Sequence, residues 1–211
     1  MTTVIEAMRA VPTPPPVLSR EREQRLTDRQ QEILEELHEI FQKGFAELTM
    51  AELAGELNCS LRTLYALASG RDELVTMVVD RALRRVGRSA HAAVAPDMAA
   101  MDAIRAYLVA ANRAVRDASQ EFATDMEAFA AGVALNDAHN QYLVDVTRAL
   151  LDLAVERDEI APVDTGALAR MIAGLGRDFS RPEVMGQLAS SPEQAADSMV
   201  DLVLAGLGRR A

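Results

Sequence analysis

Apolar residues recur at three- and four-residue intervals along most of the chain, the spacing that lays one hydrophobic stripe along an α-helix. Ile33, Leu34, Leu37, Ile40, Phe41 and Phe45 form the first long stripe, and Gly44 ends its helix. Leu74, Val75, Val78, Ala82 and Val86 continue a second to about Val94, where Pro96 stops it. Beyond Pro96 the pattern is that of a helical bundle. Met101, Ile104, Leu108, Ala111 and Val115 mark a helix from Met98 to Ala118, and Phe122, Met126 and Phe129 one from Ser119 to Ala131. Asn136 caps a long helix reaching about Glu159, with Leu143, Val146, Leu150 and Leu153 facing inward. Leu168, Met171, Ile172 and Leu175 belong to a helix begun at Asp164 or Thr165. Ser180 to Ser190 reads as irregular or as a short helix entered at Pro182, and Met199, Val200, Val203 and Leu207 stripe the last helix. No strand pattern interrupts this series, so the fold class is all-α.

Polar residues punctuate the stripes. Thr27 with Gln30, Thr49 with Glu52, and Ser191 with Gln194 have the spacing of capping boxes. Ser60 caps a short helix from Leu61 to about Leu67, and Ser69 with Asp72 signals the next start. Between Leu57 and Ser60, Asn58-Cys59 reads as a turn, because Asn tolerates left-handed backbone. Thr49–Asp72 is therefore a helix-turn-helix whose second helix exposes Arg62, Thr63 and Tyr65, a layout suited to the DNA major groove. With Ile33–Phe45 it makes a three-helix unit over residues 27–86. Residues 87–211 form the helical second domain. Residues 1–26 read as a flexible arm, since Pro12, Pro14, Pro15 and Pro16 break any helix there. Arg20, Arg22, Arg25 and Arg29 are interleaved with acids, so a solvated extension is favoured over DNA contact. The same reading treats Arg81, Arg84, Arg85 and Arg88 as a solvated basic face, with inter-domain ion pairs second.

Composition adjusts this picture in three places. The net charge of −10 argues against a strongly basic nucleic-acid binder. The charge is unevenly placed: residues 96–211 carry 10 basic and 18 acidic side chains, whereas residues 57–71 hold Arg62 and Arg71 and no acid. Any non-specific DNA affinity should thus be modest and strongly salt-dependent. No apolar run is long enough for a membrane span, and the lone Cys59 excludes an internal disulfide framework, in keeping with a cytoplasmic protein.

Residues 33–74 carry a resemblance. Ile33-Leu34, Phe41, Gly44-Phe45, Thr49–Ala54, Ser60-Leu61-Arg62-Thr63-Leu64-Tyr65 and Leu74 resemble, in kind and spacing, the motif of the TetR (tetracycline-repressor) family of transcriptional regulators. The resemblance covers residues 27–86 at motif level. The sequence departs from the family pattern at Asn58-Cys59, Ala66, Leu67 and Ala68, and Arg71 stands where a lysine is usual. The resemblance implies that Thr49, Ser60, Tyr65 and Arg71 hold phosphate while Leu61, Arg62 and Thr63 face base edges, Arg62 toward guanine. It also implies a homodimer joined through Leu168, Met171, Ile172, Leu175, Met199, Val200, Val203 and Leu207, reading a near-palindromic double-stranded operator. A small-molecule effector would be bound by Met101, Phe122, Met126, Phe129 and Tyr142. No cofactor or metal is expected.

An enzyme is disfavoured, because His38, His91 and His139 are scattered, Cys59 has no evident His partner, and no Gly-rich phosphate loop occurs. The competing reading is a dimeric small-molecule- or protein-binding relative that no longer reads DNA.

Overall fold

The computed structural model describes residues 2–114, 119–179 and 181–208, and within these the regular structure is helical. Val115 and Ser180, each assigned above to an element, lie outside the described residues. The helices are α1 (Val4–Arg9), α2 (Arg20–Gln24), α3 (Asp28–Phe41), α4 (Met50–Glu56), α5 (Leu61–Leu67), α6 (Arg71–Ala92), α7 (Ala100–Ala114), α8 (Gln120–Ala128), α9 (Ala130–Glu156), α10 (Thr165–Phe179), α11 (Pro182–Met185) and α12 (Pro192–Leu207). No helix among the described residues is long and apolar enough to cross a membrane.

Local side-chain chemistry sets most boundaries. The boxes at Thr27/Gln30, Thr49/Glu52 and Ser191/Gln194 all form, each satisfying two backbone N–H groups that a helix start leaves free. Asn58 adopts φ 48, the left-handed conformation expected of the turn. The start of α6 differs in detail. Ser69 donates its N–H and hydroxyl to Glu73 at 2.7 and 2.6 Å, and that carboxylate takes the part assigned to Asp72. Asn136 does not cap α9, which already begins at Ala130 and runs 27 residues. Gly132 lets that early turn approach Phe129 and Met126, where an added Cβ would lie 3.0–3.1 Å from their side chains.

The chain divides into two compact units, each discontinuous in sequence. A head unit gathers Pro15–Arg84 and Asp117–Asn136, and a bundle unit gathers Met1–Pro14, Arg85–Arg116 and Asp137–Ala211. This division departs from the linear one read off the sequence. The head core joins Leu18, Ile33, Leu37, Phe41, Phe45, Leu53, Leu57, Leu64, Leu67 and Leu74, with Phe122, Met126 and Phe129 packed against it. Asp80, only 2% exposed, accepts hydrogen bonds from Val17 N at 3.0 Å and Arg84 Nε at 2.9 Å, so this buried acid is satisfied.

The bundle core joins Ala90, Ile104, Tyr107, Leu108, Val146, Leu150, Ala154, Ile172 and Val200. Val4 and Met8 of α1 are completely buried in it, and Thr3 and Glu6 form a capping box at its start. The first residues of the expected arm are therefore an anchored helix. Burial of two such side chains contributes roughly 1.5–3 kcal/mol each, enough to hold a six-residue helix that would not persist alone. Glu159 accepts from Ala100 N and Met101 N at 3.0 Å each, placing a carboxylate at the N-terminus of α7 where the helix dipole favours it.

Candidate nucleic-acid interface

In α5 the side chains sort by helical position. Leu64 and Leu67 are buried, whereas Leu61 and Tyr65 are 44% and 54% exposed. Arg62 and Ala66 are exposed and Thr63 is half-buried. Arg62 makes no hydrogen bond or ion pair with a described residue, so its guanidinium fork is available to a ligand. Ser60 Oγ accepts from Thr63 N at 3.1 Å and lies 2.9 Å from Thr63 Oγ1. That hydroxyl pair fixes the start of α5 and orients Thr63. Thr49 is engaged likewise: its hydroxyl donates to Glu52 Oε2 at 2.7 Å and accepts from Glu52 N at 3.3 Å. Of the departures from the family pattern, Ala68 follows α5 as its C-cap and is buried, as is Leu67, so Ala66 alone thins the outward face.

Arg71 is placed differently from the expectation. Its guanidinium donates to the carbonyls of Leu48 (2.8 Å), Ala46 (2.8 Å) and Phe45, pairs with Asp72 at 2.9 Å, and lies 5.9 Å from the centre of the Phe45 ring. A phosphate-holding role is corrected to a clamp on the α3–α4 loop, since its donors already point inward. Arg29 and Arg22 act alike at two helix ends. Arg29 Nη2 donates to the Leu57 carbonyl at 3.0 Å while Nη1 pairs with Glu32 and Glu36, and Arg22 Nη2 donates to the Leu67 carbonyl at 3.1 Å. On α6, Arg81 pairs with Glu23 and Glu35, so it is not part of a solvated basic face.

The five residues expected to line an effector pocket separate. Phe122, Met126 and Phe129 belong to the head core, where Phe45 meets the Phe122 and Phe129 rings edge-on at 5.9 and 6.0 Å. Met101 and Tyr142 pack in the bundle. Tyr142 Oη lies 2.7 Å from His91 Nε2, and the two rings stack at 6.0 Å, with the Tyr107 ring edge-on to His91 at 5.6 Å. Burial pushes the Tyr142 and Tyr107 phenols up and the His91 imidazole down, the last helped by the charge of Arg9.

Of the residues expected at a dimer interface, Ile172 and Val200 are 2% exposed within the protomer. They leave no surface for a partner, which corrects their assignment. Leu168, Leu175, Met199, Val203 and Leu207 are half-buried, and Met171 is 49% exposed. Leu202, absent from the expected set, is 66% exposed. The apolar stripe on α12 told which positions are hydrophobic but not which side meets the bundle.

By sequence the chain matches no protein-family model and no curated protein. By fold it is similar to many solved structures. The TetR-family transcriptional regulator PfmR from Thermus thermophilus superposes with a TM-score of 0.61 at 23% identity, covering 84% of this chain and 99% of that one. A regulatory protein of the tetR family from Rhodococcus RHA1 gives 0.65 at 21% identity, over 88% and 100%. A transcriptional regulator from Cytophaga hutchinsonii gives 0.67 at 12% identity, over 87% and 100%. The all-α fold of this chain is that of TetR-family regulators.

Proposed function

We propose that the chain is a TetR-family DNA-binding regulator that reads a near-palindromic operator as a homodimer. The observation that carries this reading is the outward face of α5, where Leu61, Arg62 and Tyr65 stand exposed with Arg62 unpaired among the described residues, while Leu64 and Leu67 hold the helix from behind. In the major groove Arg62 would pair with guanine O6 and N7, and Leu61 or Thr63 would meet a thymine methyl. Tyr65 would touch the backbone, with Ser60 and Thr49 at the helix starts. With Arg71 committed internally, one cation fewer is available for phosphate than the sequence suggested, so the salt dependence of binding should be less steep than expected from the sequence.

Two-fold pairing is supported by the outward side of α10 and α12. There Met171 and Leu202 are exposed, and Gly174 and Gly206 face open space, which would let a second copy approach closely. The response to an effector would rest on the bundle alone, around Met101, Tyr142 and His91. Repression, rather than activation, is the role this reading favours.

Selection of duplexes from a random pool by the full-length protein tests the proposal. A two-fold repeated sequence should be enriched, and Arg62→Ala should lose about 1–3 kcal/mol of preference at one base pair of each half-site. No enrichment, or an unchanged preference in the variant, would overturn it and favour a ligand- or protein-binding relative that does not read DNA.

A further inference from the structure

The α3–α4 loop, residues 42–49, precedes the helix-turn-helix and contains little regular structure of its own. Its backbone is instead gripped from two sides by side chains distant in sequence. Arg71 takes the carbonyls of Phe45, Ala46 and Leu48. Opposite in polarity, Asp125 Oδ2 accepts from Phe45 N at 2.5 Å and Ala46 N at 2.8 Å. Ser119 N, just ahead of α8, donates to the Gln42 carbonyl at 3.3 Å. Gly44 makes the approach of α8 possible. It adopts φ +107, and a Cβ there would lie 3.2 Å from Glu121 Cβ and 3.3 Å from Asp125 Oδ2. The nine residues of α8 bury none of their side chains fully, so its seat depends on these contacts and on the edge-on packing of Phe122 against Phe45.

We propose that Asp125 is a positioning residue of the DNA-reading head: from α8 its carboxylate fixes the loop that aims α4 and α5. This rests on the DNA-reading function proposed above. One carboxylate oxygen receiving two adjacent N–H groups holds both peptide planes at once, and Thr49, the cap of α4, lies three residues further along. A charged acceptor makes these bonds stronger than neutral ones. Without it, two N–H groups lose their partner at the entry to α4, and Arg71 holds the loop from one side only.

Charge and position make opposite forecasts, which gives the test its sign. Removing an acid from a DNA-binding protein by itself raises affinity for the polyanion. Loss of positioning lowers affinity for the specific duplex. The full-length protein and its D125A and D125N variants are titrated with the duplex selected by wild type and with an unrelated duplex. Backbone amide exchange is followed at Phe45 and Ala46. We expect D125A to bind the selected duplex about tenfold or more weakly, with binding to the unrelated duplex unchanged or tighter. D125N has the same charge as D125A but keeps an oxygen acceptor, so it should fall between D125A and wild type. Exchange at Phe45 and Ala46 should be fastest in D125A, with α10 and α12 unaffected. If D125A does not fold, D125N bears the same sign test alone. Binding by D125N as tight as wild type or tighter, or unchanged exchange at the two amides, overturns the proposal. Should wild type select no duplex, the DNA-reading function fails, and exchange at Phe45 and Ala46 still decides whether Asp125 holds the loop.

Discussion

The head and bundle units solve the same problem, unsatisfied backbone at helix ends, by different means. In the head, α4 and α5 are seven residues each, so the N–H groups of the first turn and the C=O groups of the last, which lack an intrahelical partner, are more than half of their backbone groups. Long-range charged side chains supply what is missing: Arg29 at the end of α4, Arg22 at the end of α5, Arg71 and Asp125 on the loop before them. In the bundle, α7, α9, α10 and α12 run 15, 27, 15 and 16 residues and satisfy most of their backbone internally. There charged side chains join helix surfaces, as in the exposed Arg105–Asp201 pair at 2.6 and 3.1 Å and the Asn112–Asp197 bond at 2.9 Å. They reach backbone at fewer places, Glu159 at the start of α7 and Arg157 on the carbonyls of Thr2 and Met98. In helices this short the unsatisfied ends are a larger share of the backbone, and in α4 and α5 charged side chains offset part of that deficit.

The sharpest way to break this contrast is to remove one clamp from each unit. Arg71→Ala should cost about 2–3 kcal/mol in denaturant-induced unfolding, because it strands several carbonyls in a half-buried loop. Arg71→Lys should recover little, since an ammonium lacks the planar fork that spans three carbonyls. Arg105→Ala, which breaks an exposed pair, should have a far smaller effect. Equal losses in both would refute a special role for the head's arginines.

A smaller effect probes the same helix ends locally. Thr49→Ala removes the N-cap of α4 and should cost about 1 kcal/mol, with helix content measured by circular dichroism falling slightly. An unchanged midpoint would mean that Arg71 and Asp125 alone fix the entry to α4.

The smallest expected effect belongs to the bundle and is read against pH. Burial holds the folded-state pKa of His91 below its ordinary 6.5, so below that pH the unfolded chain binds more protons than the folded one. The bundle's stability should therefore be fully present above about pH 6.5 and decline as pH falls through the range between the two values. Melting temperatures of wild type and His91→Gln, compared from pH 8 to pH 5.5, should show wild type losing more on acidification. Parallel curves would show that the His91–Tyr142 contact is not sensitive to protonation.

Much of the molecule was legible in its sequence because the signals are local. A capping box works between residues three apart, so Thr27/Gln30, Thr49/Glu52 and Ser191/Gln194 announce their helices without knowledge of anything else. The division of α5 into buried Leu64 and exposed Arg62 follows from 3.6-residue periodicity in the same way. Only the tertiary structure decided where α1 packs, that Phe122, Met126 and Phe129 belong to the head, and that Ile172 and Val200 face inward. It also decided the fates of Arg22, Arg29, Arg71 and Asp125. Beside carboxylates near the three arginines, the partners that make these four clamps are backbone N–H and C=O groups, which nearly every residue offers, and for Asp125 they lie about 80 positions away. A bond to the backbone leaves no complementary side chain in the sequence to mark it, so Arg62, unpaired among the described residues, and a clamp such as Arg71 look alike until the chain is folded.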